Sequence, residues 1–100
     1  FLYFTREGGF LGSVILAKIE VDGREIAKLG TKENITHSVS SNYKVRISGA
    51  GISGLGIGKD TAAGLDDGKN HFYIISVKQG LFSMGFKINE TTETGFKQSQ

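Results

Sequence analysis

Residues 49–54 read Gly49-Ala50-Gly51-Ile52-Ser53-Gly54, a G-x-G-x-x-G placed directly after the apolar alternation of Tyr43 to Ser48. In a dinucleotide-binding unit such glycines let the backbone close on a pyrophosphate, and the N-terminus of the next helix faces the anion. The surroundings do not supply that unit. A helix starting here would carry Gly56 and Gly58 in its first turns, each costing about 1 kcal/mol against alanine. The following apolar segment, His71 to Lys78, should end near an acid that holds the ribose hydroxyls. It runs instead into Gln79-Gly80, and the next acid is Glu90. A phosphate loop ending at Lys59 would need glycine at 53 and Ser or Thr at 60, where Ser53 and Asp60 stand. The expectation is therefore a long glycine-rich loop over 49–70 that binds no nicotinamide or flavin cofactor. A dinucleotide-binding enzyme fragment using Gly49 to Gly54 is the alternative.

The remaining chemistry-bearing residues are sparse. His37 and His71 sit at strand positions and are read as structural histidines, with no Asp or Glu at ligand spacing. Asp66-Asp67 beside Gly68 reads as turn chemistry, and no serine lies in a G-x-S-x-G. Asn34-Ile35-Thr36 and Asn89-Glu90-Thr91 match the glycosylation sequon. The chain has no cysteine, so it has neither a disulfide framework nor thiolate chemistry. No catalytic, cofactor-binding or metal-ligating residue is expected, and the chain is read as non-enzymatic. Within the glycine-rich loop, Ile52, Leu55 and Ile57 are too apolar for a solvated linker. With Lys59 they are candidates for partner contact, packing on the domain's own core being the other reading.

The elements that would hold these residues are strands. Ile15, Ala17, Ile19 and Val21 alternate with Lys18 and Glu20, the period of a half-buried strand. Asp22-Gly23 then supplies the two positive-φ positions of a type I′ hairpin, and Arg24 to Leu29 returns. Phe1 to Arg6 is aromatic and β-prone. Ile35, His37 and Val39 alternate, as do Tyr43, Val45 and Ile47. Phe72 to Val77 is apolar on both faces, as an inner strand would be, and Phe82, Met84, Phe86 and Ile88 alternate again. Thr91 to Gln98 reads as a short edge strand before a polar tail from about 97, and the only helical option lies between Ile52 and Gly68. The pattern predicts one all-β domain over 1–100, a small antiparallel β-sandwich of about six to eight strands.

Composition agrees with a globular domain: 38% hydrophobic and 22% charged residues. The net charge of +2 is spread along the chain without a basic cluster, so nucleic acid is not expected as a partner. No apolar run approaches the roughly 18 residues of a membrane span. Because the first residue is Phe1, an upstream segment is expected, and any signal peptide would lie there.

Taken together, "LYFTR", "GSVILAKIEVDGREIAKL", "YKVRIS", "DGKNHFYIISV" and "INETTETGFKQ" resemble a family of small bacterial lipoprotein and periplasmic domains of unknown function, akin to the PEGA-type β-sandwich. In that family an opening strand ends in arginine, an apolar-V-D-G hairpin follows, and a G-K-x-aromatic-aromatic strand comes later. The family often has Pro-Gly before the returning strand, where this chain has Ser41-Asn42. The resemblance implies an extracytoplasmic domain of the periplasm or outer membrane, tethered by a lipidated cysteine upstream of Phe1. It implies a binding or structural module whose partner is another envelope protein or a cell-wall component, and no catalytic residues.

Overall fold

The computed structural model describes residues 1–8, 15–51, 56–81 and 83–100. Eight strands run in the order β1 (Leu2–Arg6), β2 (Ala17–Val21), β3 (Arg24–Leu29), β4 (Asn34–His37), β5 (Tyr43–Gly49), β6 (Asp60–Gly64), β7 (His71–Gln79) and β8 (Met84–Thr91), followed by helix α1 (Glu93–Ser99). They form two four-stranded sheets, β4-β1-β7-β8 and β3-β2-β5-β6, packed as a sandwich. The expected all-β sandwich is what forms. Among the described residues the strand pairings are antiparallel except β1 with β7, which is parallel, with Leu2 opposite His71 and Arg6 opposite Ile75.

Period-two alternation decides which side chains enter the core. Leu2 and Phe4, then Ala17, Ile19 and Val21, then Val45 and Ile47, then Ile75, then Phe86 and Ile88 all point between the sheets and are buried. Asp22-Gly23 forms the tip of the β2–β3 hairpin with φ of 52° and 83°, the left-handed pair that a type I′ turn requires. Asp22 has a second task. Its carboxylate accepts from Lys44 N at 3.0 Å, while its own N–H donates to Lys44 O at 2.9 Å, which ties the hairpin to β5.

One flank of the sandwich is sewn shut. Gly58 N–H donates to Met84 O at 2.9 Å and Phe86 N–H donates to Gly58 O at 2.8 Å, a short parallel bridge between the approach to β6 and β8. Asp60 extends the seam by accepting from Ile88 N at 3.0 Å. A β-carbon on Gly58 would lie 3.3 Å from the Gly85 Cα, so this close backbone approach depends on glycine there.

Three expectations are corrected. The segment 49–70 is not one loop: Gly49 ends β5, and Asp60–Gly64 is a strand paired with β5 from Ile47 opposite Asp60 to Tyr43 opposite Gly64. Thr91 to Gln98 is not an edge strand with a polar tail. Thr92 caps a helix there by accepting from Gly95 N at 3.1 Å, and Glu93 pairs with Lys97 at 3.3 Å one turn on. The helical option between Ile52 and Gly68 is not taken in its described part, residues 56–68, which run as turn, bridge, strand and loop. α1 lies on the outer face of the β4-β1-β7-β8 sheet, where buried Phe96 meets Tyr3 and Phe72.

Candidate functional site

The polar side chains that converge most closely lie at the end of the sandwich where β5 and β7 begin. Tyr43 opens β5 and Tyr73 is the third residue of β7, so the two come from opposite sheets and both point inward. Their hydroxyls meet at 2.5 Å, and both residues are buried. A tyrosine on a core face brings a hydroxyl that needs a partner, and here each hydroxyl is the other's. Burial raises the pKa of both phenols, most strongly that of Tyr73. Both remain neutral phenols throughout the physiological range, so neither is a base or a nucleophile there.

His71 stands beside this pair, its ring packed edge-on to Tyr43 at 6.1 Å between centroids. Its Nδ1 lies 2.8 Å from Glu90 Oε2 on β8, and its Nε2 lies 2.9 Å from Asp67 Oδ1 in the β6–β7 loop. Hydrogen bonding to Glu90, and then to Asp67, raises the His71 pKa above its ordinary value. Hydrogen bonding to His71 in turn lowers that of Asp67. Protonated, the imidazolium donates from both nitrogens and bridges two carboxylates. Asp67 also accepts from Lys69 N at 3.0 Å, so the expected turn chemistry is present alongside the histidine contact. The expectation that His71 lacks a nearby acid is corrected: one stands four residues before it, and the other reaches it through the β7–β8 pairing.

Chemically, this constellation holds a proton and crosslinks three elements. With both ring nitrogens occupied, His71 presents no lone pair to a metal or a substrate. Among the described residues no group of three His, Cys, Asp or Glu side chains is arranged to hold a metal ion, and no helix is long and apolar enough to cross a membrane.

A second buried polar group sits at the opposite end. Arg6 is only 2% exposed. Its Nη1 donates to Ile15 O and, at 3.0 Å, to Leu29 O, and its guanidinium lies 5.4 Å from the centre of the Phe86 ring. Desolvation lowers its pKa, while the charge of Glu33 opposes that effect. Arg6 thereby ties the last residue of β1 to the backbone at both outer ends of the β2–β3 hairpin.

The residues singled out in the glycine-rich segment separate. Ile52 and Leu55 lie outside the described residues. Ile57 is partly buried and packs against the core, whereas Lys59 is exposed in a cleft that also takes Lys78 and Lys87. Of the G-x-G-x-x-G, Gly49 pairs with Ala17 inside the sheet, and Ala50 is buried, its N–H donating to Leu16 O at 3.0 Å. Gly51 takes a φ of 69°. The sequence points to His71 only as a structural histidine and does not mark Tyr43, Tyr73 or Glu90 as its neighbours. The readable signal was a tyrosine at an inward position of each of two alternating strands, with Asp67 one helical turn's spacing before His71. No known protein family, curated protein or solved structure matches the chain.

Proposed function

We propose that the chain is a non-enzymatic domain of the bacterial cell envelope, a binding or structural module of a lipoprotein in the manner of the PEGA-like domains it resembles. The envelope setting rests on the sequence resemblance alone, and one observation supports the non-enzymatic part: both nitrogens of His71 are taken up by carboxylates, at 2.8 and 2.9 Å. General-base or nucleophilic catalysis needs a group with an available lone pair aimed at a space where a reacting atom can sit. Here the ionisable groups that converge are spent on one another. Tyr43 and Tyr73 are paired and kept neutral, and Arg6 is buried against backbone carbonyls. Such groups stiffen a scaffold. The partner on this reading is another envelope protein or a cell-wall component, the membrane is reached only through an upstream lipid anchor, and no cofactor is used.

Two measurements test the proposal. Expressed from its full gene, the protein should partition with the envelope and be released by detergent; recovery in the cytosolic fraction overturns the location. Melting the domain with NAD, NADP and FAD should leave Tm unchanged. A ligand whose Kd lies well below the concentration used stabilises by mass action, so a rise of several degrees overturns the non-enzymatic reading and restores the Gly49–Gly54 alternative.

A further inference from the structure

The outer face of the β4-β1-β7-β8 sheet carries a groove of about 290 Å³ between β4 and α1. Tyr3 lines it, with its ring held between aromatic neighbours. Tyr3 and Phe72 are register partners on adjacent strands, and their rings stack at 4.8 Å with planes 18° apart. That separation equals the spacing of the strands themselves, about 4.7–4.9 Å, so the two rings stand upright side by side. One face of Tyr3 is covered by Phe72. Phe96 meets Tyr3 in a T-shaped contact at 6.0 Å. The opposite face of Tyr3 looks toward β4, where its register partner is Thr36, too short to cover a ring. An aromatic face therefore borders the groove.

The rim is polar and neutral. Asn34, Thr36, Asn70 and Gln100 line it with Tyr3, and none of their side chains is hydrogen-bonded to another described residue. The two charged residues of the groove, Glu93 and Lys97, pair with each other at 3.3 Å. An anion would thus meet no unbalanced cation. An aliphatic chain would displace water from three amides without replacing its hydrogen bonds. A pyranose ring satisfies both halves of the site: its C–H face lies on the aromatic ring while its hydroxyls reach the amides and Thr36.

We propose that this groove binds an uncharged saccharide, one ring of a longer glycan seated on Tyr3. The volume suits one ring, being near the lower end of ligand sites, about 300–1,000 Å³. The proposal rests on the reading of the domain as a non-enzymatic envelope module and names the chemistry of its partner.

The test is an NMR titration of the amide signals of the whole domain with chitotetraose, cellotetraose and maltotetraose, each to about 10 mM, a range that captures millimolar affinity. At least one should shift the amides of Tyr3, Asn34, Thr36, Asn70 and α1 together. The double variant Asn34→Ala/Asn70→Ala alters two exposed side chains, so Tm should hold while affinity falls at least about fivefold, near 1 kcal/mol. Tyr3→Ala should abolish binding, but it also removes packing against Phe96, so the amide variant decides the matter. Silence from all three sugars, shifts mapping elsewhere, or unchanged affinity in the amide variant overturns the groove as a saccharide site and leaves the envelope reading standing. Shorter oligosaccharides appearing during the titration would instead overturn the non-enzymatic reading.

Discussion

Gly64 makes room for Tyr43: a β-carbon at position 64 would lie 2.5 Å from Tyr43 Cζ and closer still to the phenolic oxygen. The two are register partners on β6 and β5, so the bare backbone of Gly64 is what lets the Tyr43 ring reach across to Tyr73. Gly64→Ala must either displace the ring or push β6 outward. Overpacking of this kind costs about 1–3 kcal/mol, which urea unfolding would read as a lower midpoint at unchanged slope. Tyr73→Phe tests the same contact from the other side, since it leaves the Tyr43 hydroxyl buried without its partner. The expected loss is about 1–3 kcal/mol. If the pair is coupled, Tyr43→Phe/Tyr73→Phe should cost less than the sum of the two single changes.

Arg6 is a cation in a buried place, and its value lies in the carbonyls it satisfies. Arg6→Met keeps much of the side-chain volume but orphans Ile15 O and Leu29 O and removes the contact with Phe86. The expected cost is about 2–5 kcal/mol, a large share of the stability of a domain this size. Arg6→Lys should recover only part of it. Both bonds leave the single Nη1, and an ammonium on a shorter stem lacks the planar face that packs near Phe86. Equal stability of the Lys variant and the parent would refute a need for the guanidinium.

The parts of this structure that were readable in advance are those governed by near neighbours. Ala17, Ile19 and Val21 announce β2 by period, and Asp22-Gly23 announces its turn by the backbone angles those residues tolerate. β6 was not readable. Apart from Thr61, Asp60–Gly64 consists of residues depleted in strands, and it is held in place by β5 and by the Gly58–Gly85 seam. α1 is locally legible, in Thr92 as cap and Glu93 four residues before Lys97, but the β8 alternation running into it favours a strand reading of the sequence. At the His71 site, half of the arrangement is local, through Asp67. The other half needs Glu90, which only the β7–β8 register brings near.

Ile57 and Lys59 are two residues apart and should answer mutation differently. Ile57 packs against the core, so Ile57→Ala should lower stability by about 1–3 kcal/mol, less than a fully buried truncation because the side chain is only partly enclosed. Lys59 is exposed, and Lys59→Ala should change stability by no more than about 0.5 kcal/mol. Thermal melts of the two variants check this directly. A silent Ile57→Ala would mean that the side chain contributes no packing, and would return it to the role of an exposed partner contact.

The His71 clamp should give the domain a pH-dependent stability whose sign follows from proton counting. Its pKa is raised above 6.5 in the folded state, first by Glu90 and then by Asp67. Near and above pH 6.5 the native state thus binds more protons than the unfolded chain, so stability falls as pH rises. The contribution is fully present below 6.5 and is lost as pH climbs through the folded pKa. Asp67 works in the opposite sense. Its pKa is lowered below 3.8, so its contribution is present above that value and fades as pH falls through the folded pKa. Both contributions coexist between about pH 4 and 6.5, and stability should peak there. Following the His71 ring protons by NMR should give a midpoint above 6.5. Glu90→Gln should bring that midpoint down further than Asp67→Asn does, because Glu90 is the larger cause. In His71→Gln the decline of Tm above neutrality should flatten. A His71 midpoint at or below 6.5, or a decline that survives His71→Gln, would show that the clamp does not hold its proton in solution.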